Sequence, residues 1–248
     1  MKRLLLIIDP QRDFTQQQGT LYVPQAEQAM AYLSQFITDN QEQLTDICLS
    51  LDSHHPYHIG HAIYWANAQG EHPQPFTKII DTKVWKPTQT PLSQIDTYLK
   101  ALNKQGRVHT IWPEHCILDT QGWEIDPELS SALSQWEQWR KKKGLSSYKT
   151  YQKGSFPDAE MFSILSTFDK KLIDMDNLPI NFDDYDQIFI AGVAEDICVA
   201  ETITDLIRIP SLENKLIFLQ QGMAGLDKEA KSLHIFKEAV ENFGAQYR

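Results

Sequence analysis

The chain has 248 residues, 42% of them hydrophobic and 23% charged, enough apolar side chain for a substantial core and too much for a disordered segment. Its formal net charge of −10 argues against a nucleic acid or an anionic membrane surface as partner, since both ask for excess Lys and Arg, and favours small molecules. The three cysteines, Cys48, Cys116 and Cys198, are odd in number and widely spaced, unlike the framework of a secreted disulfide domain, so a reduced, cytoplasmic protein is expected.

The first apolar run, residues 4–8, follows Lys2-Arg3 but stops at Asp9 with no small-residue cleavage site behind it. It therefore reads as a buried strand and not as a signal peptide or membrane span. Residues 25–38 carry Ala26, Ala29, Met30, Leu33, Phe36 and Ile37 at helical spacing. Residues 47–51 form a second strand, which also ends in an acid, Asp52. In open parallel sheets this carboxyl edge is where ligands bind.

Four of the eight histidines fall in the next stretch, His54, His55, His58 and His61. A polar surface loop would explain them, but Asp52 and His54, two residues apart at a strand end, can also present an oxygen and a nitrogen to one divalent metal. Residues 62–94 are rich in Pro, Gln and Thr, with a short strand over 76–80, and residues 62–107 as a whole read as an insertion or lid-like segment beside the active edge. Within it, residues 95–104 form a helix closed by Gly106. A strand over 108–111 leads into Trp112-Pro113-Glu114-His115-Cys116, where His115 is the natural third metal ligand.

Residues 129–143 predict a helix whose basic end, Arg140 to Lys143, is solvated. Residues 148–154 alternate like a strand and deliver Lys153 to a turn, with a helix expected over 160–168. An acidic connection over 177–186 enters the strand before Gly192-Val193-Ala194-Glu195-Asp196-Ile197-Cys198-Val199. Cys198 then falls in the first turn of a helix, where free N–H groups and the positive dipole end favour a thiolate. A last strand over 216–219 and a terminal helix over 227–242, with Leu233, Phe236, Ala239 and Val240 inward, complete a single α/β domain: a three-layer αβα sandwich on a mainly parallel sheet.

Five stretches taken together resemble the isochorismatase-like cysteine hydrolases, and within them the nicotinamidases. They are Ile8-Asp9-Pro10-Gln11-Arg12-Asp13-Phe14, Asp52-Ser53-His54 with His58 behind it, Trp112-Pro113-Glu114-His115-Cys116, Tyr151-Gln152-Lys153-Gly154, and residues 192–199. The resemblance implies a triad of Asp9, Lys153 and Cys198, and an oxyanion hole from the N–H groups of Ala194 and Cys198 beside a cis peptide between Val193 and Ala194. It also implies a divalent metal on Asp52, His54 and His115, to which some members add the histidine matching His58. Zinc is expected there, although iron and manganese accept the same donors. Phe14 and Trp112 match residues flanking the substrate ring, and the substrate implied is nicotinamide, cleaved to nicotinate and ammonia through a thioester in NAD salvage by a homo-oligomer. The departures lie on the substrate side: Ser53 stands where the family usually has Trp, and the 62–111 stretch is longer than in compact bacterial members. They leave room for a relative acting on another small amide. An isochorismatase would not need Cys198 and the metal donors, and a silent binding domain would be expected to have lost part of the triad.

Overall fold

Leu4 to Ile8 are all buried, and they alternate between two cores: Leu5 and Ile7 face one apolar cluster, Leu4, Leu6 and Ile8 the other. This is what a near-continuous aliphatic run means in a central parallel strand, with both pleat faces covered. The computed structural model describes residues 1–227 and 234–248. Its main sheet has strands β1 (Arg3–Ile8), β2 (Asp46–Asp52), β3 (Lys149–Lys153), β4 (Gln187–Val193), β5 (Leu216–Ala224) and β6 (Gln246–Tyr247), in the order β6-β5-β4-β1-β2-β3. Every neighbouring pair is parallel.

Helices α1 (Ala26–Asp39), α2 (Leu92–Lys104), α3 (Pro127–Lys142), α4 (Ala200–Leu206) and α5 (His234–Phe243) follow in chain order. α1 and α3 cover one face with Met30, Leu33, Leu133 and Trp136. α4 and α5 cover the other with Ile203, Leu206, Phe236 and Ala239, giving the three-layer αβα architecture. The strand order reverses between β4 and β1, so the carboxyl ends of these two strands flank a topological switch point. Residues 62–107 build a third apolar cluster, with Tyr64, Trp65, Ile79, Ile95, Tyr98, Leu99 and Leu102 packed on Ile59, Ile111 and Ala159.

Several expectations change. His109–Thr110 pairs antiparallel with Lys78–Ile79 in a two-stranded ladder and does not join the main sheet. No helix forms over 160–168, because its apolar residues serve different surroundings: Ile164 and Leu165 enter the second core and Phe168 packs against the third. The Ser163 hydroxyl also accepts from Leu165 N at 3.0 Å, a local bond that competes with a helical one. β5 runs on to Ala224 through a register shift at its exposed Gln220 and Gln221, and it is not the last strand, since β6 pairs with it. In α5, Phe236 and Ala239 are buried and Val240 is partly so, whereas Leu233 lies outside the described residues. Among the described residues no helix is long and apolar enough to cross a membrane.

α3 starts two residues before the expected 129, because Asp126 caps it ahead of Pro127. Asp126 Oδ1 accepts from Glu128 N at 3.0 Å and Leu129 N at 3.3 Å, while Oδ2 accepts from Thr15 Oγ1 at 2.8 Å and Gln16 Nε2 at 2.6 Å. The cap thus ties α3 to the turn after β1. Asp126→Ala should lower unfolding free energy by about 2–3 kcal/mol, with Asp126→Asn losing less, read as a shift in denaturant midpoint at constant m. An unmoved midpoint in the Ala variant would show that the cap carries no stability.

Candidate active site

The carboxyl ends of β1, β2, β3 and β4 each deliver one group to a common centre. Asp9 follows β1 in a left-handed turn with φ 48°, and its Oδ1 accepts from Ser50 Oγ at 2.6 Å. Lys153 closes β3 directly opposite Asp52, the last residue of β2. Its ammonium lies 2.8 Å from Asp9 Oδ2, 3.1 Å from Asp52 Oδ1 and 3.7 Å from Cys198 Sγ. Cys198 sits in a single π-helical turn, Glu195–Val199, between β4 and α4, just after a cis peptide joining Val193 and Ala194. Asp9, Lys153 and Cys198 are all buried.

The charges set each proton. Burial raises the Asp9 carboxyl more than Lys153 pulls it down. Burial works against the Lys153 ammonium, but Asp52, Asp9 and Cys198 outweigh it and hold the pKa well above the usual lysine range. For Cys198, burial lifts the thiol well above its ordinary value; Lys153 opposes this, while Asp9 and Asp52 add to it. Burial thus opposes the thiolate that a helix end favours, and Asp9, paired with Lys153, is the carboxylate beside the thiol. Cys48 and Cys116 are buried thiols too, with Cys48 pushed up to about 12.

Asp52, His54 and His115 come together beside this centre. Asp52 Oδ2 is 3.0 Å from His54 Nε2 and 3.4 Å from His115 Nε2. A tetrahedral ion with N and O ligands at about 2.0–2.1 Å would place neighbouring donors about 3.3 Å apart, so the set fits a divalent metal. Burial raises the Asp52 carboxyl, but His54 and Lys153 hold it well below the usual range, as an anion. Ring nitrogens of His54, His61 and His115 lie within 4.8 Å of one another, and His61 was not among the residues expected from sequence.

Hydrogen bonding at the far ring nitrogen decides which histidines can ligate. His54 Nδ1 faces Gly154 O at 3.0 Å, His61 Nδ1 faces Pro56 O at 3.2 Å and His115 Nδ1 faces Pro113 O at 2.7 Å. A carbonyl only accepts, so each Nδ1 donates its proton there, and Nε2 is the atom that each ring, when neutral, offers to a metal. His58 is opposite: its Nδ1 accepts from Gly60 N at 3.1 Å, which puts the proton of the neutral ring on Nε2. Burial first of all keeps His58 neutral, and moves His61 down to about 3. The buried Nε2 atoms of His58 and His61 both lack a hydrogen-bond partner among the described residues, so each faces the centre with an unmet polar atom. His61 thus joins His54 and His115 in one candidate metal group, while His58 belongs to a second with His54 and Glu160.

Support comes from residues that sequence reasoning did not single out. Gln11 holds Asp52 like a strand neighbour, accepting from Asp52 N and donating to Asp52 O, both at 2.7 Å. Asp13 Oδ2 accepts from Cys116 N at 2.7 Å and so fixes the turn that carries His115. Gly154 has φ 75°, and a Cβ there would meet Asp52 Oδ1 at 2.7 Å and His54 Cε1 at 2.9 Å, so only glycine fits. An indole reaches Ser53 from elsewhere in the chain, with Trp123 Nε1 donating to Ser53 Oγ at 2.8 Å.

Above the centre lies a pocket with about 400 Å³ of empty space, its open mouth included. Phe14, Trp112, Asp52, His115, Ala194 and Cys198 line it, so the expected ring-flanking, metal and thiol residues share one cavity. Glu160 and Phe162 complete the wall. Glu160 is buried, its Oε1 has no hydrogen-bond partner among the described residues, and it groups with His54 and His58. Nothing in the sequence marks it, since it sits where helical spacing was misread.

No protein-family model and no curated protein matches the chain. Among solved structures, the yeast nicotinamidase bound to the inhibitor nicotinaldehyde is 20% identical with a TM-score of 0.68, over 99% of this chain and 98% of that one. The nicotinamidase and pyrazinamidase of Acinetobacter baumanii is 19% identical with a TM-score of 0.62, over 99% and 94%. The pyrazinamidase of Pyrococcus horikoshii in complex with zinc is 19% identical with a TM-score of 0.58, over 99% and 98%. Along nearly its whole length, this chain has the fold of the nicotinamidase and pyrazinamidase structures.

Proposed function

We propose that the protein is a metal-assisted cysteine amidohydrolase that converts nicotinamide to nicotinate and ammonia, a step of NAD salvage. The observation that carries this reading is the buried Lys153 ammonium, 2.8 Å from Asp9 and 3.7 Å from Cys198, where the Cys198 thiol lines a pocket shared with Phe14 and Trp112. The neighbours of like fold add support, being nicotinamidases and pyrazinamidases.

In this mechanism Asp9 takes the thiol proton as Cys198 Sγ attacks the carboxamide carbon. Lys153 steadies the anionic sulfur, and the N–H groups of Ala194 and Cys198 receive the oxyanion. The proton on Asp9 passes to the amide nitrogen, the C–N bond breaks and ammonia leaves. Water then cleaves the thioester, releasing the acid and restoring the thiol. Asp52, His54, His61 and His115 would hold a divalent ion, zinc foremost, which when bound supplies a fixed positive charge for a ring nitrogen. Phe14 and Trp112 stack against the flat ring.

Cys198→Ala should cut ammonia release from nicotinamide by at least about 1,000-fold while far-UV dichroism stays that of the parent. Full activity in that variant would sink the mechanism. Nicotinamide, pyrazinamide and small aliphatic amides should be assayed together, because cleavage of another amide with nicotinamide ignored keeps the chemistry and removes the substrate. For the metal, His61→Ala should weaken zinc affinity about 100-fold in competition with a chromophoric chelator, and His58→Ala should change it only a few-fold. The reverse ranking would overturn the tautomer assignment.

A further inference from the structure

Residues 154–168 form one wall of the pocket, yet they contain no helix or strand of their own. Their position must come from what they touch, and residues 62–107 touch them at three places. At the near end, Asp158 Oδ1 accepts from Tyr64 Oη at 2.6 Å and Thr90 Oγ1 at 2.7 Å, and Oδ2 accepts from Gln94 Nε2 at 3.1 Å. In the middle, the Arg107 guanidinium lies 5.3 Å over the ring of Phe162. At the far end, Gln105 Nε2 donates to Phe168 O at 3.2 Å, and the Phe168 ring packs on Tyr98.

These attachments fall on both sides of Glu160 and Phe162, the two wall residues that face the pocket. The same segment also grips the histidine loop. Trp65 Nε1 donates to Ile59 O at 2.7 Å in the histidine loop, and Ile59 N donates to Pro157 O at 2.7 Å. Gly60 lies against Glu160 so closely that a Cβ there would collide with its Oε1, so the histidine loop meets the pocket wall at this carboxylate. Three converging donors on one half-buried carboxylate, two residues from Glu160, are more than a surface loop needs.

We propose that residues 62–107 act as a strap, anchored on Asp158, that fixes the wall carrying Glu160 and Phe162 and so sets which ring sizes the pocket accepts. The substrate part rests on the amidohydrolase reading; the mechanical part does not. Asp158 is a positioning residue and acts through the wall.

The test uses the full-length protein and Asp158→Ala, with Asp158→Asn as the conservative variant, since an amide oxygen still serves Tyr64 and Thr90. Hydrogen exchange should speed up in residues 154–168 of Asp158→Ala, leave β1, β2 and β4 unchanged, and return towards the parent in Asp158→Asn. For nicotinamide, KM should rise about 10-fold with kcat within about 3-fold, and selectivity over a two-ring carboxamide should fall at least about 5-fold. Unchanged exchange in 154–168 overturns the strap. Faster exchange with an equal loss of kcat/KM on both amides overturns its role in selectivity. If the parent cleaves no amide, the amidohydrolase reading fails and exchange alone decides the strap. Should Asp158→Ala fail to fold, Tyr64→Phe, which removes one of the three donors, takes its place with the same expected directions.

Discussion

A fully buried ammonium holds the site together. Lys153 bridges Asp9 and Asp52, and those carboxylates belong to two chemically different halves of the centre, the thiol side and the histidine side. Removing one partner from a buried ion cluster leaves an uncompensated charge, which costs several kcal/mol. The three charges therefore stand or fall as a unit, and the sheet is what brings them into range. β1, β2 and β3 are adjacent and parallel, Asp52 is in register with Lys153, and Asp9 lies one residue beyond the end of β1. Parallel pairing puts all carboxyl ends on one edge, so side chains distant in sequence meet without a dedicated loop.

That geometry explains what could be read from the sequence. Aliphatic runs ending in an acid, at Asp9 and Asp52, announce both a buried strand and a group at its active end, and the alternating run that ends at Lys153 does the same for an edge strand, so the sheet and the positions of these side chains were legible together. Local pattern failed where a segment has no single environment. Residues 160–168 show helical spacing, yet Phe162 faces the pocket, Leu165 the sheet core and Phe168 the third cluster. Periodicity reports one buried face and has no way to describe three. Gln11, Asp13 and Ser50 were passed over for a related reason. Their work is to hold other residues, and polar side chains in turns carry no spacing that says what they hold.

The histidine loop shows a finer limit. His54, His55, His58 and His61 are chemically equal in sequence, and their offsets from Asp52 do not rank them. What separates them is the partner of the nitrogen facing away from the cluster. A backbone carbonyl behind His61 leaves its inner nitrogen a lone pair, while a backbone N–H behind His58 leaves its inner nitrogen a proton. One main-chain group, turned one way or the other, decides which nitrogen of a neutral ring holds the proton. No composition or periodicity encodes that choice, because it is set by the main-chain groups of Pro56 and Gly60.

The same division of labour bears on how identities near 20% can coexist with a shared fold. Strand ends supply charge, and their positions are fixed by hydrogen-bond register, which tolerates almost any aliphatic residue in between. Walls supply shape, and here one comes from an irregular segment whose position depends on neighbours: residues 154–168, tied to residues 62–107 and, through Ile59, to the histidine loop. Change in the strap can therefore move Glu160 and Phe162 without disturbing Lys153, since the Lys153 ammonium is held by Asp9 and Asp52 from within the sheet. On the proposed reading, chemistry and selectivity belong to physically separate parts of the molecule, and the choice of amide to the second.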